Sequence, residues 1–227
     1  MVRMKKSVLQ ESIMEEDNPL YVIDALLAWH YGNVAYYISL GLLGFIALFG
    51  LIIREDILRA QWGFIALTIA LLPALAECLT PVIFPWPMKF LITLSLILHI
   101  AGGIFGFYFT FYPLYDKIGH LISSMAIAFV FFVMIMVLSG MTGKNVSRTM
   151  VAIGIFVPVI LFALAWEYAE LNIDAIAGST YYVDAYDSFF DMVFNIIGAS
   201  YFVLNIHAYM KKESLNSLYR KFIRWKN

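Results

Sequence analysis

Six runs of about twenty mostly apolar residues, joined by short polar linkers, constrain this chain more than any other feature. They fall at approximately Val34–Ile53, Trp62–Phe84, Phe90–Tyr112, Ile118–Leu138, Met150–Leu171 and Phe189–Tyr209. A helix of about 20 residues crosses the roughly 30 Å hydrocarbon core, and in lipid only helices and closed barrels pair their own backbone groups. The runs lack strand-like alternation, so they predict an all-α, polytopic transmembrane bundle of about six spans. Composition agrees: 62% of residues are hydrophobic and 14% charged, against about 45–50% and about 25% in soluble domains. The second run carries Pro73, Glu77 and Pro81 and is expected to be kinked. Short linkers predict a compact up-down bundle over 34–209, preceded by an interfacial or cytoplasmic segment at 1–33 and followed by a basic amphipathic tail at 210–227. No nucleic-acid partner is expected, and oligomeric state is left open.

Charge placement sets an orientation. With six spans both termini share one face, which holds twelve of the lysines and arginines: Arg3, Lys5, Lys6, Lys89, Lys144, Arg148 and six in the tail. The other face holds three, Arg54, Arg59 and Lys117. The positive-inside rule then predicts cytoplasmic termini. The N-terminal "MVRMKKSVLQESIMEEDNPL" has basic residues with no apolar core behind them, so it reads as a tail rather than a cleavable signal. Asn18 and Pro19 make a helix start, after which Leu20, Ile23, Leu27 and Trp29 can lie in the interface. The tail "KKESLNSLYRKFIRWKN" interleaves basic residues with Leu215, Leu218, Phe222 and Trp225, as a helix on an anionic inner leaflet would. His30 and His207 read as interfacial polar groups, and the single cysteine, Cys78, as a packing residue.

Against this apolar background three polar motifs stand out: "YDKIGH" opening the fourth span, "WEYAELNID" closing the fifth and "DAYDSFFDMVFNIIGA" opening the sixth. All three belong at the outer ends of their spans. Asp116 and His120 are four residues apart. Glu167, Glu170 and Asp174 follow the same helical rhythm, as do Asp184, Asp187, Asp191 and Asn195, with Gly198 extending the stripe. Residues three and four apart share a helix face, and a carboxylate facing lipid is costly, so the three stripes should face one another. Seven acids would then meet one base, Lys117, and carboxylates crowded in low dielectric require protons, a cation or water to offset them. Interhelical polar pairs contribute only about 0.6–2 kcal/mol each, which makes seven acids poor adhesive and favours a site.

The candidate metal ligands are Asp116, His120, Glu167, Glu170, Asp187, Asp191 and Asn195, and the candidate catalytic groups are His120, Asp116 and Glu167. Oxygen-rich donors with one imidazole suit a divalent metal, Mg²⁺ or Mn²⁺, with Zn²⁺ favoured by more nitrogen. A second intramembrane pair, Glu77 with His99, is expected at similar depth in the second and third spans. Gly102, Gly103 and Gly106 have the spacing of a close helix contact, and "FGFYFTFYPLY" reads as an aromatic belt.

In order and spacing these motifs resemble the YjdF-type inner-membrane proteins of bacteria and archaea. They are more distantly similar to VanZ-like proteins, which pair an Asp-Lys-x-x-His element with a later Asp-x-x-x-Asn-x-x-Gly. Those elements correspond to Asp116, Lys117 and His120, and to Asp191, Asn195 and Gly198. The resemblance covers roughly residues 60–205 and implies a multi-pass protein of a prokaryotic plasma membrane. It carries no established activity, and the chain lacks the Arg-containing loop often seen in VanZ-like proteins. Two functions remain in view. One is an enzyme acting on an amphipathic lipid or envelope precursor, with a cation held by Asp116, His120, Glu167 and Asp191. The other is a proton- or cation-coupled transporter or channel using Glu77 and His99 as an inner relay.

Overall fold

The computed structural model describes the backbone of residues 19–80, 82–177, 185–222 and 224–225, and side chains over 31–80, 83–172 and 185–220. In chain order the elements are α1 (Pro19–Ile52), α2 (Ile57–Leu79), β1 (Val82–Ile83), α3 (Trp86–Phe105), α4 (Phe107–Thr110), α5 (Leu114–Thr142), α6 (Arg148–Ala177), α7 (Ala185–Tyr209), α8 (Leu215–Phe222) and β2 (Arg224–Trp225). Six of these helices are long and apolar enough to cross a membrane, and the architecture is a helix bundle. α1 continues unbroken through position 33 into the first span. The expected contributions of Asn18, Leu20, Ile23, Leu27, Trp29 and His30 lie outside the described residues or side chains.

Helix ends follow local chemistry. α2 starts at Asp56, whose carboxylate accepts from the Arg59 backbone amide at 3.0 Å and pairs with the Arg59 guanidinium at 2.5 Å. Partial burial pushes the Asp56 carboxyl up, but those hydrogen bonds and the charges of Arg59 and Arg54 outweigh it and hold it below its ordinary value of 3.8. A depressed carboxyl stabilises the fold above its unfolded value, and that contribution is lost as pH falls through the folded one. Asp56→Ala is therefore expected to lower stability by about 0.5–2 kcal/mol at neutral pH, as cap losses do. The difference from wild type should close in thermal melts taken at progressively lower pH.

At its other end α2 stops at Leu79, not at Phe84. Thr80 is already extended (φ −128°, ψ 160°), as a residue before proline prefers. The third span likewise ends at Phe105 rather than Tyr112, because Gly106 takes a left-handed φ of 73° that a side chain would resist.

The helices form two groups of three. α1 packs on α2 and α3, while α5 packs on α6 and α7, and the α3–α5 contact joins the groups. One core gathers Tyr36, Leu43, Ala70 and Ile100, the other Phe132, Met136, Ile155, Val159 and Leu218. Small residues set the closest approaches: a Cβ on Gly63 would stand 2.8 Å from that of Ala47. Ile38, Phe45, Leu161 and Leu204 point outward, as lipid-facing residues should. So does Cys78, which is exposed rather than packed.

One end of the bundle is tied by the chain itself. β1 pairs antiparallel with β2, joining the α2–α3 linker to the tail. α8 packs on α5, burying Leu215 and Leu218. Those two leucines thus serve the protein interior rather than a leaflet; Phe222 and Trp225 lie outside the described side chains. Beneath the strands Lys89 is buried, donating to Glu77 at 2.9 and 3.1 Å and to Asn33 at 2.9 Å, and it lies over the Tyr36 ring at 5.2 Å. The opposite end carries the Asp56 turn, α4, and the starts of α5 and α7.

Candidate functional site

The site is built where α5 and α7 begin. Asp116 stands in the first turn of α5 and Asp187 in the first turn of α7, where unpaired backbone amides favour a carboxylate. Continuing along α7 at helical spacing, Asp187, Asp191, Asn195 and Gly198 are all buried and turned toward α5. Gly198 makes that possible. A Cβ there would meet the Ser124 hydroxyl and stand 2.6 Å from the Leu121 carbonyl oxygen, so only glycine lets the two backbones come this close.

Lys117 is the centre of the cluster. Its ammonium donates to Asp187 Oδ1 and Asp191 Oδ1 at 2.6 Å each and to Asp116 Oδ2 at 2.9 Å. Tyr112 adds a hydrogen bond to Asp187 Oδ1 at 3.2 Å. Three aspartates converge on this one lysine, and His120 is the other basic side chain beside them. His120 Nε2 sits 3.3 Å from Asp191 Oδ1 and 3.6 Å from Asp116 Oδ1. Its Nδ1 is 3.1 Å from the Asn195 side-chain amide, so Asn195 fixes the ring.

Asp116, His120 and Asp191 thereby offer one oxygen or nitrogen each, all within 4.8 Å of one another. Ligand atoms about 2.1 Å from a tetrahedral ion stand about 3.4 Å apart, close to the two edges made by His120. For His120 to bind through Nε2, Nδ1 must carry the proton, and the Asn195 amide accepts it after a half-turn about its terminal torsion.

Glu170 and Glu167 approach from α6. Glu170 accepts from Trp166 Nε1 at 2.8 Å, and the Trp166 ring meets His99 edge-on at 4.8 Å. Glu167 faces Ser188 and the charges of His120, Asp116 and Lys117, and its Oε1 is buried with no hydrogen-bond partner among the described residues. Asp174 and Asp184 lie outside the described side chains.

Two cavities converge on this site. The larger, about 580 Å³, has Asp116, His120, Asn195 and Glu170 at its outer end and an apolar shaft below them formed by Ile127, Val130, Phe131, Met134 and Phe162. The smaller, about 280 Å³, lies between α2, α3 and α6 and is lined by Arg59, Trp62 and Gly103. Both include His99, Trp166 and Glu170.

The expected Glu77–His99 pair is replaced by separate partners. Glu77 is bound by Lys89 and by the Phe84 amide at 2.8 Å, whereas His99 Nδ1 meets the Tyr108 hydroxyl at 2.9 Å. The reason is the early end of α2, which leaves Glu77 in its last turn. His99 lies ten residues beyond Lys89 on α3, about 15 Å deeper. Among the glycines, Gly102 marks a close approach: the rings of Tyr108 from α4 and Tyr115 from α5 fill the space a Cβ would take. Sequence reasoning missed four participants, Lys117 as the hub and Tyr108, Tyr112 and Trp166 as supports. The tyrosines resemble belt residues because their hydroxyl partners are distant in sequence. For Lys117 the signal is present, since a lone lysine among seven acids has every reason to be claimed by them.

No curated protein and no solved structure matches the chain. A family model described as "Predicted membrane protein (DUF2238)" matches residues 35–212, a stretch that takes in every described residue of the site. The chain belongs to that family of predicted membrane proteins.

Proposed function

We propose that this is a prokaryotic plasma-membrane protein, termini cytoplasmic, that holds a divalent cation at Asp116, His120 and Asp191 and uses it on the head group of an amphipathic molecule. The observation that carries the reading is the larger cavity, whose apolar shaft ends on Asp116 and His120, two of the three groups that could hold the cation, with Glu170 and Asn195 beside them. A site for a water-soluble solute would have no use for that shaft, while an amphiphile entering sideways from the bilayer would present its head to the cation. The YjdF-type resemblance is compatible with the family found; the VanZ-like relation rests on the Asp116–His120 and Asp191–Gly198 elements alone.

The chemistry proposed is hydrolysis of a phosphate or carboxylic ester. A divalent ion held by Asp116, His120 and Asp191 would supply polarisation of the ester oxygen and an activated water. That water adds to phosphorus or carbon, the bond to the lipid oxygen breaks, and a proton moves from the water to the departing oxygen. With His120 serving as a ligand, the proton carrier is Glu170, which lines the cavity beside it. Lys117 stays outside the reaction and holds the three aspartates in register. The transport alternative loses its inner relay, because Glu77 and His99 are engaged elsewhere.

The test is Mn²⁺- or Zn²⁺-dependent release of phosphate from prenyl phosphates and phosphatidic acid in detergent. Glu170→Gln should lower turnover about 10²–10⁴-fold, the usual worth of a general acid or base, while leaving metal content intact. His120→Gln should lose both. Turnover that is absent in the wild type, or equal in wild type and both variants, would dismiss the enzymatic reading.

A further inference from the structure

The length of the larger cavity narrows the substrate class. Along α5 its lining runs from Asp116 to Met134, eighteen residues that rise about 27 Å at about 1.5 Å per residue. Half the hydrocarbon core is only about 15 Å, and the chain of a bilayer-forming lipid is matched to that half. The lining on α3 agrees, reaching from His99 back to Ile92, near the end of that helix where Lys89 lies. The shaft therefore extends well past the midplane into the opposite half of the membrane. Only a chain longer than one leaflet has a use for its lower part.

We infer that the substrate is a phosphate carried on a long polyprenyl chain, with the chain laid along α5 down to Met134. This rests on the proposed reading of the site as one that receives an amphiphile's head group. The polar end suits a phosphate only when a cation is present, because Asp116, Asp191 and Glu170 would otherwise repel it. A divalent ion bridging carboxylates and phosphate oxygens resolves that conflict. A diacyl lipid fits less well, since neither of its chains reaches the lower shaft.

The experiment compares three probes by native mass spectrometry of the full-length protein in detergent with Mn²⁺: geranyl phosphate, whose chain ends within the outer half; a long polyprenyl phosphate; and phosphatidic acid. Chains leave a micelle as apolar as the shaft, so the gain comes from packing alone. The long prenyl phosphate is expected to bind about tenfold tighter than geranyl phosphate, equivalent to about 1.4 kcal/mol. Met134→Trp, at a half-exposed position that tolerates bulk, should erase that preference and leave geranyl phosphate binding unchanged. Equal binding of short and long chains, a preference for phosphatidic acid, or a preference untouched by Met134→Trp overturns the inference while the head-group reading stands. If no probe binds, or if binding is the same without Mn²⁺ and in His120→Gln, both fall together.

Discussion

Replacing Lys117 with methionine is expected to destabilise the protein by about 3–5 kcal/mol, the range seen when one partner of a buried ion pair is removed. The dominant cause is the stranded negative charge. Asp116, Asp187 and Asp191 all converge on this ammonium, and without it three carboxylates face one another in a buried setting. Adding Asp191→Asn to Lys117→Met should recover part of the stability, because it removes one of those charges. Thermal unfolding in a mild detergent reads both effects. A Lys117→Met protein as stable as wild type would mean that the aspartates do not depend on the lysine.

Lys89→Met is expected to cost a similar amount, about 3–5 kcal/mol, for a different structural reason. Lys89 is almost wholly buried and joins Glu77, Asn33 and the face of Tyr36, tying α1, α2 and α3 together. Removing both charges, as Lys89→Met with Glu77→Leu, should be much less damaging than either change alone, since no lone charge remains. The two lysines separate in what else they control. At a temperature where both variants are folded, Lys89→Met should bind a divalent cation as wild type does, while Lys117→Met should bind it with altered affinity. Equal effects on cation binding would remove the distinction between a structural tie and a functional centre.

The apolar runs make the six spans legible, since their length and lack of alternation leave no other element that can bury them. Their ends are less so. Val82, Ile83 and Phe84 are apolar and prolong the second run on paper, yet Thr80 turns extended before Pro81 and the next two residues pair with the tail. That five-residue difference moves Glu77 to another depth and undoes its expected pairing with His99. The convergence of Asp116, His120, Asp191 and Asn195 can be read from helical spacing, because each motif shows a single polar face. What spacing cannot supply is the rotation of one helix against another. Gly198 fixes that rotation by letting α7 meet α5 at Leu121 and Ser124, which sets Lys117 rather than an empty gap between the aspartates. The cavities are illegible for the same reason, since they exist only where α2 and α6 stand apart across the α3–α5 seam.

The most direct measurement is the divalent metal content of purified protein after dialysis against Mn²⁺ or Zn²⁺, compared among wild type, His120→Gln and Asp191→Asn. Wild type should retain about one ion per chain and each variant far less, because a site of three ligands does not survive the loss of one. Negligible metal in all three proteins, or equal metal in all three, would contradict a cation centre at Asp116, His120 and Asp191.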